Sequence, residues 1–173
     1  MPIKGLVQLD LVALSEMNSP LFQESPRAPS GGDQTAELVR DLIDTMHAHS
    51  ICVGLAAPQI GVQQAVAVVN VSELKSEPDL VLVNPVLLSA TGKKDVKFES
   101  CMSLPGWRGS VERRRKIHVA YSDLDGNELE IHAEGFLARA IQHELDHLKG
   151  IIYAQSLASG AILERTDLFE RDV

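Results

Sequence analysis

Apolar and polar positions divide the chain into segments of contrasting period. In residues 34–49, QTAELVRDLIDTMHAH, the apolar Leu38, Leu42, Ile43 and Met46 recur at helical spacing. This predicts a helix, with Asp33 as its N-cap. Residues 135–149, GFLARAIQHELDHLK, carry a second helical pattern, ended by Gly150. Between the two the period changes. AVAVVNV at 65–71 is short, apolar and β-branched, and predicts a buried strand. LVLVNPVLL at 80–88 predicts another, in which Pro85 marks an edge or a bulge. Residues 116–122 and 128–132 flank Asp123-Leu124-Asp125-Gly126-Asn127, a hairpin signal with Asp-Gly at the turn. Residues 19–33 are rich in proline and glycine and predict an extended surface segment. The order helix, strands, helix is α+β, not an alternating βαβ pattern. The expectation is a single domain over residues 1–173, with mostly antiparallel sheets packed around a central helix at 135–149.

Composition narrows the class. At 173 residues the chain is long enough for one sizeable core. Its 45% apolar and 23% charged residues exclude global disorder. Sixteen basic residues against 24 acidic ones leave a net charge of −8, the wrong sign for a protein that binds a phosphate backbone. No nucleic-acid partner is expected. No run reaches the roughly 18 apolar residues of a membrane helix. Asp10 and Glu16 interrupt the N-terminal apolar stretch, unlike a secretory signal or a presequence. The reading is a cytoplasmic protein with no membrane partner. Two cysteines, Cys52 and Cys101, do not make a disulfide scaffold.

The second helix carries chemistry. His143-Glu144-Leu145-Asp146-His147 is an HExxH sequence. On a helix, positions i and i+4 share a face, so both imidazoles reach one ion. Glu144 then lies beside that ion, placed as a general base. The plain alternative is a solvated helix with two chance histidines. Phe136, Arg139, Ala140, His143 and His147 share one stripe, which points the histidines inward. Asp146 reads as a surface acid or as an acceptor behind a ligand. The third ligand is open. The run HELDHLKGIIY has Tyr153 where HExxHxxGxxH would need histidine. Glu164 is a weak candidate of the kind a metallopeptidase would use. Cys101 is the better one, a soft thiolate that leaves a fourth position open. The alternative for a lone cysteine is a small buried apolar residue.

Three segments together resemble the peptide deformylase family. Val53-Gly54-Leu55-Ala56-Ala57-Pro58-Gln59-Ile60-Gly61 is close to GxGLAAPQ. Glu99-Ser100-Cys101-Met102-Ser103-Leu104-Pro105-Gly106 is close to EGCLS. Gln142-His143-Glu144-Leu145-Asp146-His147-Leu148-Lys149-Gly150 fits QHExDHLxG. The resemblance covers roughly residues 34–155. It implies a hydrolase that removes the formyl group from N-formyl-methionyl peptides. It implies Cys101, His143 and His147 as ligands of one divalent ion, Fe²⁺ in the cell, with Zn²⁺, Ni²⁺ or Co²⁺ able to replace it. It implies Glu144 as general base, and the Gln59 side chain and Met102 N–H as donors to the developing oxyanion. Val53, Phe136 and Ala140 are candidates for the methionine slot, Gly54 and Gly106 for backbone offered to the peptide, and Arg108 for contact beyond the methionine. A degenerate peptide-binding relative and an HExxH metallopeptidase remain as alternatives. Cys52 and Ser100 stand where the family has glycine, and are expected to alter rate or specificity through backbone strain, entrance shape or the ligand sulfur. Glu99 and Arg113 are expected to pair and hold the ligand loop. The acidic tail does not support docking on ribosomal RNA, although ribosome association stays open.

Overall fold

The computed structural model describes residues 3–17, 19–29, 31–72 and 78–168. Among the described residues there are three α-helices, α1 (Leu11–Glu16), α2 (Asp33–Ala48) and α3 (Gly135–Leu148). Six strands complete the order: β1 (Gly54–Ala56), β2 (Val66–Val69), β3 (Leu80–Cys101), β4 (Leu104–Ser122), β5 (Glu128–Glu134) and β6 (Glu164–Arg165). All pairings are antiparallel, along the path β1-β2-β3-β4-β5, with β6 joined to β4. The α+β expectation is met. Among the described residues, no helix is long and apolar enough to cross a membrane.

α2 begins one residue earlier than the pattern predicts. Gly32, at φ 103°, is its N-cap, and Asp33 opens its first turn. Only glycine accepts that backbone angle readily, and an acid in the first turn suits the helix dipole. Leu38, Val39, Leu42 and Met46 are buried against Leu55, Val66, Val68 and Val83. α3 buries Ala138, Ile141 and Leu145 against Val69, Leu82, Ile117 and Val119. It touches β1, β2, β4 and β5, which makes it the central helix.

β3 differs most from its expected range. It continues well beyond residue 88 and ends at Cys101. Residues 91–94 and 96–98 are exposed, so the alternation that announces a half-buried strand is missing there. Pro85 does mark a bulge, with the register shifting between Val83 and Val86. Beside it Asn84 adopts φ 52°. Its amide accepts from Ala28 N–H (2.7 Å) and donates to Ala28 O (3.0 Å), tying the segment before α2 to the sheet. That segment also contains a 3-10 turn at Pro20–Phe22. Gly150, at φ 72°, ends α3 where a Cβ would meet Phe22 C at 2.7 Å. Chain reversal and close approach both require glycine at this position.

Candidate metal and active site

Cys101 ends β3 and pairs with Leu104 across a two-residue turn, Met102-Ser103. The turn brings the thiol up to the inner face of α3. Cys101 Sγ lies 3.2 Å from His147 Nε2. Donor atoms of Cys101, His143 and His147 all lie within 4.8 Å of one another. The imidazoles stand nearly perpendicular, at 77°. Two imidazoles and a thiolate form a donor set that suits a transition metal. Gln59 Nε2 donates to Cys101 Sγ (3.4 Å) and Ser103 Oγ (3.2 Å), while Gln59 Oε1 accepts from Ala56 N–H (2.9 Å). Ser103 N–H also donates to the sulfur, at 3.4 Å.

Behind the donors lies a network of charges. His143 Nδ1 meets Glu99 Oε2 at 3.0 Å, which leaves Nε2 for a ligand role. Arg113 binds Glu99 through Nε (3.0 Å) and Nη2 (2.9 Å), as expected for that pair. Arg113 Nη1 also bonds Asp146, which is therefore a network member rather than a surface acid. Burial raises the pKa of Glu99, but His143 and Arg113 outweigh it and hold the carboxyl well below its ordinary value. Burial also opposes charge on His143, yet its bonds to Cys101 and Glu99 raise its pKa well above the ordinary value. His147 is pushed well below its ordinary value, first by burial and then by His143 and Arg113. In Glu144 burial raises the pKa to about 7. Its Oε2 is buried with no protein partner.

Gln59, Glu99, Cys101, His143 and Glu144 border one cleft. Ile51, Cys52, Val53, Gly54, Phe98 and Phe136 form much of its wall, together with Ser100, Met102 and Ala140. Phe136 lies on the predicted stripe but is 55% exposed, at the mouth. A Cβ on Gly54 would lie 2.5 Å from Glu144 Oε1, so glycine there leaves room for the carboxylate. Gly106 and Arg108 do not line the cleft. Gly106 O accepts from Thr166 N–H, and Arg108 pairs with Glu164 at 3.1 Å. Glu164 is therefore engaged elsewhere and is not in the donor group. Tyr153 faces the His143 ring at 6.2 Å, but its hydroxyl donates to Trp107 O at 2.9 Å.

Neither residue that replaces a family glycine strains the backbone. Cys52 and Ser100 both lack positive φ. Cys52 Sγ donates to Gly54 O at 3.1 Å. Among the described residues, Gln59 and Ser103 donate to the sulfur of Cys101, and Ser100 does not. Sequence reasoning did not find Ile51 and Phe98 in the wall, the Glu99–His143 bond, or Asp146 beside Arg113. The acid two residues before the cysteine was a signal for the Glu99–His143 bond, but its histidine partner lies 44 residues away.

A family model described as polypeptide deformylase matches residues 14–161. The chain belongs to this family. A peptide deformylase of Roseiflexus sp. (strain RS-1) is 43% identical over 134 residues, covering 70% of this chain and 72% of that one. One from Thermomicrobium roseum is 38% identical over 155 residues, covering 87% of each. The peptide deformylase of Synechococcus elongatus in complex with actinonin has the same fold, with TM-score 0.80 and 32% identity, over 91% of this chain and 80% of that one. The Thermotoga maritima peptide deformylase gives TM-score 0.80 at 26% identity, over 91% and 99%. Peptide deformylases are metal-dependent enzymes acting on peptides, so this chain is a hydrolase of protein biosynthesis.

Proposed function

We propose that the chain, acting as one metallohydrolase domain, removes the formyl group from N-formyl-methionyl peptides and releases formate. The observation that carries this reading is the convergence of Cys101, His143 and His147 beside a buried carboxylate, Glu144, whose Oε2 has no protein partner. The donor set fits one divalent ion, with Fe²⁺ as the cellular metal and Zn²⁺, Ni²⁺ or Co²⁺ as substitutes. When bound, the ion supplies Lewis acidity to water and to the carbonyl. Glu144, with its pKa raised by burial to about 7, takes a proton from the attacking water and returns it to the leaving amine. The water oxygen joins the formyl carbon, and the C–N bond breaks. Gln59 Nε2 and the Met102 N–H supply hydrogen bonds to the formyl oxygen as charge develops there.

Val53, Gly54, Phe136 and Ala140, joined by Ile51 and Phe98, form the slot for the methionine side chain. Gly106 and Arg108 lie outside the cleft, as positions along the peptide beyond the methionine, and Arg108 stacks over the Phe98 ring at 4.3 Å. The net charge of −8 favours a free peptide end as partner over nucleic acid, and a cytoplasmic setting supplies such ends. The peptidase alternative needs Glu164, which lies on β6 and is held by Arg108 of β4.

The deciding assay is formate release from formyl-Met-Ala-Ser by iron-loaded protein under anaerobic conditions, with Glu144→Ala as control. Turnover well above the control is expected. Turnover equal to the control, with metal bound, points instead to a binding protein.

A further inference from the structure

Arg139 lies one helical turn before His143 on α3, and both hold the same carboxylate. His143 Nδ1 meets Glu99 Oε2 at 3.0 Å, and Arg139 Nη1 meets Oε1 at 2.6 Å. With the two bonds from Arg113, Glu99 receives four N–H donors, two on each oxygen. Arg139 is itself anchored. Nη1 also donates to Val111 O (3.1 Å), and Nη2 donates to Asp95 O (2.9 Å) and Asp95 Oδ1 (2.8 Å). Its side chain is 6% exposed. The outer anchors alone would tie α3 to the β3–β4 hairpin. The inward bond to Glu99 does something more: with His143 it fixes the carboxylate plane from the helix side, while Arg113 fixes it from β4.

We propose that Arg139 is a positioning residue for the metal site. By holding Glu99 Oε1 it fixes the carboxylate that orients the His143 ring, and so sets affinity for the divalent ion. This rests on the reading of Cys101, His143 and His147 as ligands. Loss of a partner behind a ligand commonly costs ten- to a hundredfold in metal affinity, and Arg139 acts one bond further out. The expected loss is about tenfold.

The test measures Co²⁺ affinity by competition with a chelator, the Co²⁺ absorption spectrum and Tm. Wild-type protein is compared with Arg139→Met, Arg139→Lys, Asp95→Asn and Cys101→Ser. Wild type should bind one Co²⁺ per chain, and Cys101→Ser should not. Arg139→Met should bind about tenfold more weakly, with a shifted spectrum. Arg139→Lys should fall between, since lysine offers Glu99 a donor without the fork that also holds Asp95. Asp95→Asn should lower Tm and keep most of the affinity. Wild-type affinity and spectrum in Arg139→Met, with a lowered Tm, would show a structural tie only and overturn the proposal. If that variant does not fold, Arg139→Ala takes its place, and wild-type affinity and spectrum there overturn the proposal equally. Wild type without bound Co²⁺, or Cys101→Ser that binds as well as wild type, defeats the ligand reading itself and this inference with it.

Discussion

The molecule holds two histidine pairs, and the closer one is not the site. His118 and His132 face each other across β4 and β5, with rings stacked 3.9 Å apart at 17°. His143 and His147 on α3 are 4.9 Å apart at 77°. The acid partners show the same inversion. His118 meets Glu130 at 2.7 Å, and His143 meets Glu99 at 3.0 Å. Yet the Glu130 side chain is 60% exposed, and that of Glu99 is 6% exposed. Water screens the first pair, whereas burial makes the second depend on its partners. Crossed rings on one helix face aim their nitrogens at a common region, where Cys101 supplies a third donor. Stacked rings on a sheet surface have no such focus. Orientation and burial, not proximity, separate a candidate metal centre from a surface pair.

The strongest challenge to this contrast is removal of a donor from each region. Cys101→Ser or His147→Ala should abolish stoichiometric metal binding and formate release. The double variant His118→Ala/His132→Ala should change neither, as metal analysis and the formyl-peptide assay will show. Retained metal in Cys101→Ser would collapse the distinction. Next in size, Glu144→Gln should keep the metal but lower kcat by about 10²- to 10⁴-fold, a loss of proton transfer alone.

The two acids sharpen the comparison further. Glu99→Gln leaves Arg113 and Arg139 facing an uncharged group and should cost about 3–5 kcal/mol in denaturant unfolding. Gly54→Ala places a Cβ against Glu144 Oε1, at 2.5 Å if nothing moves. The carboxylate must shift, and kcat should fall about 10²-fold with metal retained. Smallest of all, Glu130→Gln should change stability by less than about 1 kcal/mol, despite the shorter bond to its histidine.

Legibility followed burial. α2 and α3 were readable because each buries one face at helical spacing. The β4–β5 hairpin was readable from its Asp-Gly turn, where Asp123 Oδ1 accepts from the N–H groups of Asp125 and Asn127. The outer part of β3 was not, because its exposed residues carry no alternation. β1 has three residues and β6 two, too short for a period to show. Within the site, the HExxH pair and Cys101 were legible as residue types at meaningful spacing. Arg108 was not readable as the partner of Glu164, nor Arg139 as a partner of Glu99. Those pairings join elements far apart in the chain, and side-chain type alone does not choose among several available acids.

The sequence by itself determined what is local: two imidazoles on one helical face, a carboxylate beside them, a thiol upstream of them, and three motifs in family order. Helical geometry ties those imidazoles together wherever the helix lies. Tertiary structure alone decided which groups surround them. The β3–β4 register carries Cys101 to α3, and packing of α3 on the sheet encloses Glu99 between Arg113, Arg139 and His143. A buried charge must find its partners in three dimensions, because leaving water costs more than a single contact returns.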